Sequence, residues 1–244
     1  GLSDLIREEF GVKTTVFIML ALLVTNLGTC AAEFAGLAAS LEIFGVSRYF
    51  SVPVACAVIW LLVVKGTYKT VERVFIGACI IYFSYILSGF MAEPDWGEVA
   101  RHTLWPNVRM DMAFIGLLIG MVGTTISPWM QFYQQAAIVE KGVSVENYRF
   151  VRWDVILGCI MASTVAFFIV MACGATLFKG GIVIETAEDA AMALTPLAGG
   201  FAKILFAVGL VNASLFAATI LPLSATYTIC EGLGWESGVN KEFH

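Results

Sequence analysis

Charge is scarce in this chain: Asp, Glu, Lys and Arg together make up 14% of the 244 residues, while 59% are hydrophobic. A water-soluble domain carries roughly a quarter of its residues as charges, so the composition excludes that class. Histidine is rarer still. His102 and His244 are the only two, and both lie in polar segments. Paired cysteines are missing as well: Cys30, Cys56, Cys79, Cys159, Cys173 and Cys230 stand singly in apolar sequence, without a C-x-x-C spacing. They read as small buried residues rather than a soft-metal cluster or a disulfide framework. Basic residues are few and scattered, and the formal net charge is −5. No nucleic-acid partner is expected from such a surface.

What the chain does hold is apolar sequence in windows of roughly 18 to 25 residues, long enough to cross the hydrocarbon core as helices. In lipid every backbone donor and acceptor must be satisfied internally, which leaves helices or a closed barrel, and these runs are too long for barrel strands. The expected fold is all-α: a single polytopic transmembrane helix bundle. About six spanning helices fall near residues 13–43, 47–65, 68–92, 110–141, 148–177 and 199–233. Six crossings put both ends on one side. That side carries Arg7, Lys13, Lys65, Lys69, Arg73, Lys141, Arg149, Arg152 and Lys241, against Arg48, Arg101, Arg109, Lys179 and Lys203 on the other. The positive-inside rule makes the first side cytoplasmic. Acidic residues at Glu93, Asp95 and Glu98 and between Glu185 and Asp189 then face outward, as solvated loops or as weak attractors of cations. The chain opens without Met or a signal-like segment and stops in polar sequence, so it is expected to be a piece of a longer transporter.

Three polar features interrupt the spans. In the first, Asn26, Cys30 and Glu33 recur at i, i+4 and i+7, beside Thr25 and Thr29. A carboxylate at membrane depth is costly, so Glu33 either faces a cavity, as part of a cation or proton path, or holds two helices together by a hydrogen bond. The second feature runs from Gly120 to Gln135. Pro128 removes a backbone donor there and frees carbonyls near Thr124 and Ile126, while Thr124, Ser127, Gln131 and Gln134 supply polar side chains at helical spacing around it. A broken helix lined this way suits ion binding, although a plain proline kink is the competing reading. In the third, Asn212, Ser214, Thr219, Pro222 and the Ser224 to Thr226 stretch are mixed with small residues. Close helix packing explains most of them, and Asn212 alone is kept as a neighbour of the site.

Three short motifs carry a family resemblance: Cys30-Ala-Ala-Glu-Phe-Ala-Gly36, Gly123-Thr-Thr-Ile-Ser-Pro-Trp129 and Glu231-Gly-Leu-Gly234. Together they resemble the NRAMP family of divalent-metal transporters, and residues 1–11 are similar to the segment after that family's second helix. The resemblance implies a partial LeuT-type inverted-repeat fold comprising the third to eighth helices. The first helix, with its metal-binding Asp and Asn, would belong to the missing helices of the same polypeptide. It also implies an integral membrane protein of the bacterial plasma membrane, with the lipid bilayer and a divalent metal ion as partners and no cofactor.

The departures from the family pattern refine this. Where NRAMP members typically have Ala-x-x-Met-Pro-His, this chain has Thr124-Thr-Ile-Ser-Pro-Trp129, so Ser127 replaces the thioether ligand. The family's histidines fall on Trp129 and Gln134, and its Asp before the retained Glu33 falls on Cys30. Without sulfur the site suits a hard cation that keeps its waters, and without imidazole the usual proton route has lost most of its titratable groups. These substitutions are similar to those of the NRAMP-related magnesium transporters. The expected substrate is hydrated Mg²⁺ or Mn²⁺, moved by alternating access without proton coupling. Thr124, Ser127, Gln131 and Gln134 would serve as the metal site, with Glu33, Asn26, Trp129 and Asn212 as pathway or gating residues. A proton-coupled transition-metal transporter, an amino-acid carrier of LeuT-type architecture and a scaffold subunit are the alternatives. An intramembrane enzyme is disfavoured, because Ser127 has no evident base within the spans.

Overall fold

The computed structural model describes residues 1–65, 77, 79–182, 184 and 186–235. Lys69, Arg73, Glu185, Lys241, His244 and most of the first part of the 68–92 span lie outside the described residues. The described chain is helical, and no strand occurs among those residues. Among the described residues, four helical stretches are long and apolar enough to cross a membrane: Leu2–Glu42, Met112–Val139, Val145–Phe178 and Gly199–Leu233. Arg48–Val64 and Cys79–Met91 are apolar but shorter.

The first helix, α1 (Leu2–Glu42), is 41 residues long, about 60 Å at the usual rise and twice a bilayer core. It is divided at Gly11, whose φ of 79° and ψ of 167° are non-helical. Only glycine adopts that backbone readily. The charged opening turns around Arg7, Glu8 and Glu9 are thereby separated from the apolar helix that follows. Next come α2 (Arg48–Lys65), a 3₁₀ turn at Cys79–Tyr82 and α3 (Phe83–Met91). The acidic segment expected as a loop contains a helix, α4 (Trp96–Leu104), capped by Asp95, whose carboxylate accepts from the Gly97 and Glu98 amides. Asp95 is therefore engaged at a helix N-terminus, where a carboxylate satisfies orphan donors.

The expected span at 110–141 forms two helices, α5 (Met112–Thr125) and α6 (Pro128–Glu140). Then follow α7 (Tyr148–Cys173), which runs into a π-helical turn at Gly174–Phe178, the short α8 (Ala187–Ala191) and α9 (Thr195–Ala198), and α10 (Ala202–Leu233). Many large apolar side chains face outward, among them Leu117, Ile119 and Phe150 at 66–73% exposure. Lipid is the solvent for such a surface.

The helices form two units. Residues 1–31, 107–149 and 220–244 make one, and residues 32–106 and 150–219 the other. Inside the first, Gly232 of α10 sits against the Met19 thioether of α1, where a Cβ would collide. Ser224 Oγ donates to the Trp129 carbonyl at 3.1 Å, and the Tyr133 and Tyr227 rings lie 6.5 Å apart. In the second, Tyr85, Leu194 and Ala202 form a buried cluster with Ile169 and Phe206 against it. Ser88 Oγ donates to the Ala193 carbonyl at 2.9 Å. Gly36 and Gly209 let α10 approach closely, a Cβ on Gly36 falling 3.0 Å from Ser214 Oγ. Small residues at crossings are how membrane helices gain contact without a hydrophobic driving force.

Gly89 of α3 offers a test of this packing. A Cβ there would stand 2.6 Å from the Phe168 ring and 2.9 Å from the Met171 methyl. Gly89→Leu in the intact protein is expected to cost about 1–3 kcal/mol by overpacking. A thermal unfolding midpoint in detergent equal to that of the wild type would refute the close crossing of α3 and α7.

Candidate functional site

The break between α5 and α6 follows from local chemistry. Pro128 disfavours helical backbone in the residue before it, and Ser127 is extended, with φ −71° and ψ 133°. Ile126 is also unwound, at φ −123° and ψ 67°. Pro128 itself starts α6, where its missing N–H leaves nothing unsatisfied. The interruption therefore lies at Ile126 and Ser127, ahead of the proline. Thr124 belongs to the end of α5 and Gln131 and Gln134 to α6, so the polar stripe read from the spacing is divided between two helices.

The hydroxyls at the break are committed as donors. Thr124 Oγ1 and Thr125 Oγ1 both donate to the Met121 carbonyl, at 3.1 and 2.7 Å. Ser127 Oγ donates to the Gly123 carbonyl at 3.0 Å rather than capping α6. With their protons turned back into α5, these oxygens keep lone pairs for a cation or its water shell. The Thr125 and Ile126 carbonyls fall where α5 has run out of amide donors. Ser127 is buried, while Thr124, Gln131 and Gln134 are exposed. The arrangement is a neutral group of oxygen donors. No group of three or more His, Cys, Asp or Glu side chains able to hold a metal occurs among the described residues.

Trp129, on the first turn of α6, is anchored through its carbonyl by Ser224, while its indole Nε1 is buried without a hydrogen-bond partner among the described residues. Asn26 of α1, in the same unit, is only 4% exposed. Neither its Oδ1 nor its Nδ2 has a partner among the described residues. Buried amides are almost always satisfied, which marks Asn26 as a side chain whose partner is not among the described residues. Its neighbours differ: Thr25 and Thr29 return their protons to the Leu22 and Thr25 carbonyls at 2.8 and 2.9 Å.

Glu33 and Asn212 belong to the other unit. Glu33 is half-buried and hydrogen-bonded by the Ser214 hydroxyl. Asn212 Nδ2 donates to the Tyr82 hydroxyl at 3.2 Å, and Tyr82 donates to the Gly209 carbonyl at 3.3 Å. Cys79 also hydrogen-bonds Asn212. The structure thus brings Thr124, Ser127, Trp129, Gln131 and Gln134 into one unit with Asn26, and Glu33 and Asn212 into a separate polar cluster. Tyr82 and Ser214, which hold that cluster, were not singled out by sequence reasoning as site residues. Tyr82 has no periodic signal inside an apolar run, and Ser214 reads as one more small packing residue.

An all-α bundle of long apolar helices, one of them broken at a Ser-Pro step with oxygen donors on both sides, defines a polytopic helical membrane protein. Residues 1–244 match the Nramp family, natural resistance-associated macrophage protein-like, and the chain belongs to that family. The divalent metal cation transporter MntH of Caldanaerobacter subterraneus subsp. tengcongensis is 25% identical over 247 residues, which cover 95% of this chain and 57% of the relative. MntH of Vibrio campbellii is 28% identical over 240 residues, with 95% and 56% covered. MntH of Yersinia pestis is 26% identical over 244 residues, with 95% and 58% covered. The chain thus spans a little over half the length of these relatives.

The Tyr82–Asn212 contact is open to a double-mutant cycle. Tyr82→Phe and Asn212→Ala are each expected to destabilise the intact protein by about 1–2 kcal/mol, the cost of leaving a buried polar group unpaired. The pair together should cost less than the sum by about 1 kcal/mol. Strict additivity of the unfolding free energies would mean that the two side chains do not interact.

Proposed function

We propose that the full-length protein is a secondary transporter of divalent metal cations, and that its substrate is a hydrated hard cation, Mg²⁺ or Mn²⁺, carried without proton coupling. The observation that carries this is the break at Ile126 and Ser127. Two helix ends there present carbonyls, hydroxyls and, from α6, the Gln131 and Gln134 amides, with serine rather than a thioether at position 127 and no imidazole at positions 129 and 134. Mg²⁺ dehydrates reluctantly and is held through few direct ligands and several waters. Neutral oxygen donors around an unwound step suit that water shell better than they suit a stripped soft ion. The names of the relatives, divalent metal cation transporters, support the broader class.

In this reading Thr124 and the freed carbonyls face the ion, and Ser127, Gln131 and Gln134 bind its coordinated waters. Asn26 and Trp129 complete the polar surroundings, and the remaining ligands come from helices of the same polypeptide outside this chain. The architecture is a LeuT-type inverted repeat with six spans here and both ends cytoplasmic, and movement is by alternating access. Inward transport is favoured by the membrane potential, at about 2.3 kcal/mol per charge per 100 mV. The protein performs no covalent chemistry in this scheme. A second reading, proton-coupled transport of a transition metal, is favoured by the retention of Glu33 in a hydrogen-bonded setting.

Proteoliposomes containing the full-length protein separate the two readings. Mg²⁺ is expected to enter without acidifying the lumen, and Ser127→Met is expected to lower Mg²⁺ flux at least about tenfold, because a thioether cannot serve a hard ion or its waters. Metal-driven proton entry would overturn the uncoupled mechanism in favour of the second reading. Unchanged flux in Ser127→Met would remove Ser127 from the site.

Asn26 gives an independent check. Asn26→Leu replaces a buried amide that has no partner among the described residues by an apolar group of similar size, so stability should hold or rise by about 1 kcal/mol while flux falls. Flux equal to the wild type would show that the amide has no part in transport.

A further inference from the structure

Within the first unit, α6 meets the last turns of α10 at two levels. Ser224 Oγ donates to the Trp129 carbonyl at 3.1 Å. One turn further along both helices, the Tyr133 and Tyr227 rings lie 6.5 Å apart. The pairings ascend together, 129 with 224 and 133 with 227, so the two helices run in the same direction here. Trp129, Tyr133 and the buried Ala136 recur at i, i+4 and i+7, which makes them one stripe of α6. Gln131 and Gln134 fall roughly 140–200° around the helix from Trp129, and both are exposed. The face of α6 that touches α10 and the face that carries the amides are thus opposite.

Ser224 behaves unlike its hydroxyl neighbours on α10. Thr219, Thr226 and Thr228 return their protons to carbonyls four residues back, at 2.6, 2.9 and 2.9 Å, whereas Ser224 donates to another helix. Its surroundings are firm. Leu221, Ser224, Tyr227 and Thr228 are each at most 6% exposed, and Gly232, one turn beyond, sits against Met19 of α1. On the other side of the contact, α6 starts at Pro128 directly after the unwound step at Ile126 and Ser127. No continuous helix upstream fixes its rotation, so a bond to Trp129, its second residue, acts where α6 has least other restraint. We propose that Ser224 is a positioning residue: with the Tyr227 ring it sets the rotation of α6 about its own axis and thereby aims Gln131 and Gln134 away from α10. On the transport reading above, on which this rests, the amides then meet the water shell of the ion.

Two measurements on the full-length protein test this. Hydrogen exchange in detergent, with no divalent ion present, reads the hold on α6 directly. Ser224→Ala should speed exchange of the amides of residues 132–135 about fivefold, the worth of one net hydrogen bond. In proteoliposomes the same variant should raise the KM for Mg²⁺ about fivefold and leave the maximal rate unchanged, since a misaimed site binds less well but the amount of folded carrier is the same. Adding Ser224→Ala to Gln134→Ala should raise KM by less than it does in the wild-type background, because part of its effect passes through that amide. Unchanged exchange in Ser224→Ala would overturn the assignment. Faster exchange with a wild-type KM, or a lower maximal rate with KM unchanged, would reduce Ser224 to a packing residue and overturn it as well, as would strict additivity with Gln134→Ala. A wild-type protein that carries neither Mg²⁺ nor Mn²⁺ would defeat the transport reading and with it the role of the amides, while the exchange result would still show whether Ser224 holds α6.

Discussion

A backbone carbonyl in hydrocarbon has no water to turn to, so each one must find its donor inside the protein. That single requirement orders the rest of this structure. It forces the apolar segments into helices, and it makes Thr and Ser side chains fold their donors back onto carbonyls one turn away, as Thr29, Thr164 and Thr226 do. It also makes the unwound step at Ile126 and Ser127 costly. Ser127 repairs part of that cost by donating to the Gly123 carbonyl. The groups left over beyond it are where a cation can replace the missing donors.

The same requirement separates the two polar clusters by kind. Asn212 donates to Tyr82 and Tyr82 to the Gly209 carbonyl, while Ser214 bonds Glu33, which is the pattern of a structural network. In the unit that holds the helix break two side chains are left over. Asn26 and the Trp129 indole remain buried without partners among the described residues, and Thr124 faces outward. A cluster that satisfies itself holds helices together, whereas one left unsatisfied is suited to a ligand. By that distinction Asn212 belongs with packing as much as with any pathway, and Asn26 moves closer to the centre of the functional reading.

The helical class was legible because hydrophobic length alone decides it. The break was legible because a proline constrains the residue before it whatever the tertiary setting. Its position was less so: the interruption falls at Ile126 and Ser127, because steric conflict with a proline ring acts upstream and leaves Pro128 free to begin a helix. The helix at Trp96–Leu104 was hidden inside a segment read as an acidic loop. Nine residues of mixed polarity carry little periodic signal, and its start depends on Asp95 turning its carboxylate onto two amides. Gly11 was equally silent, since a glycine inside a helical run gives no sign of its φ until the chain is built.

The sequence by itself determined that this is a bundle of membrane helices with a Ser-Pro break that has serine before the proline and no imidazole after it, because composition, run length and residue type act locally. Those same motifs carried the resemblance to the Nramp family, to which the match over residues 1–244 assigns the chain. Only the tertiary structure decided which polar groups are satisfied. Glu33 found Ser214, Asn212 found Tyr82, and Asn26 found no partner among the described residues, and nothing in the spacing of these residues distinguishes them. Hydrogen-bond satisfaction depends on which helices meet and at what depth, and that is a property of packing between segments far apart in the chain.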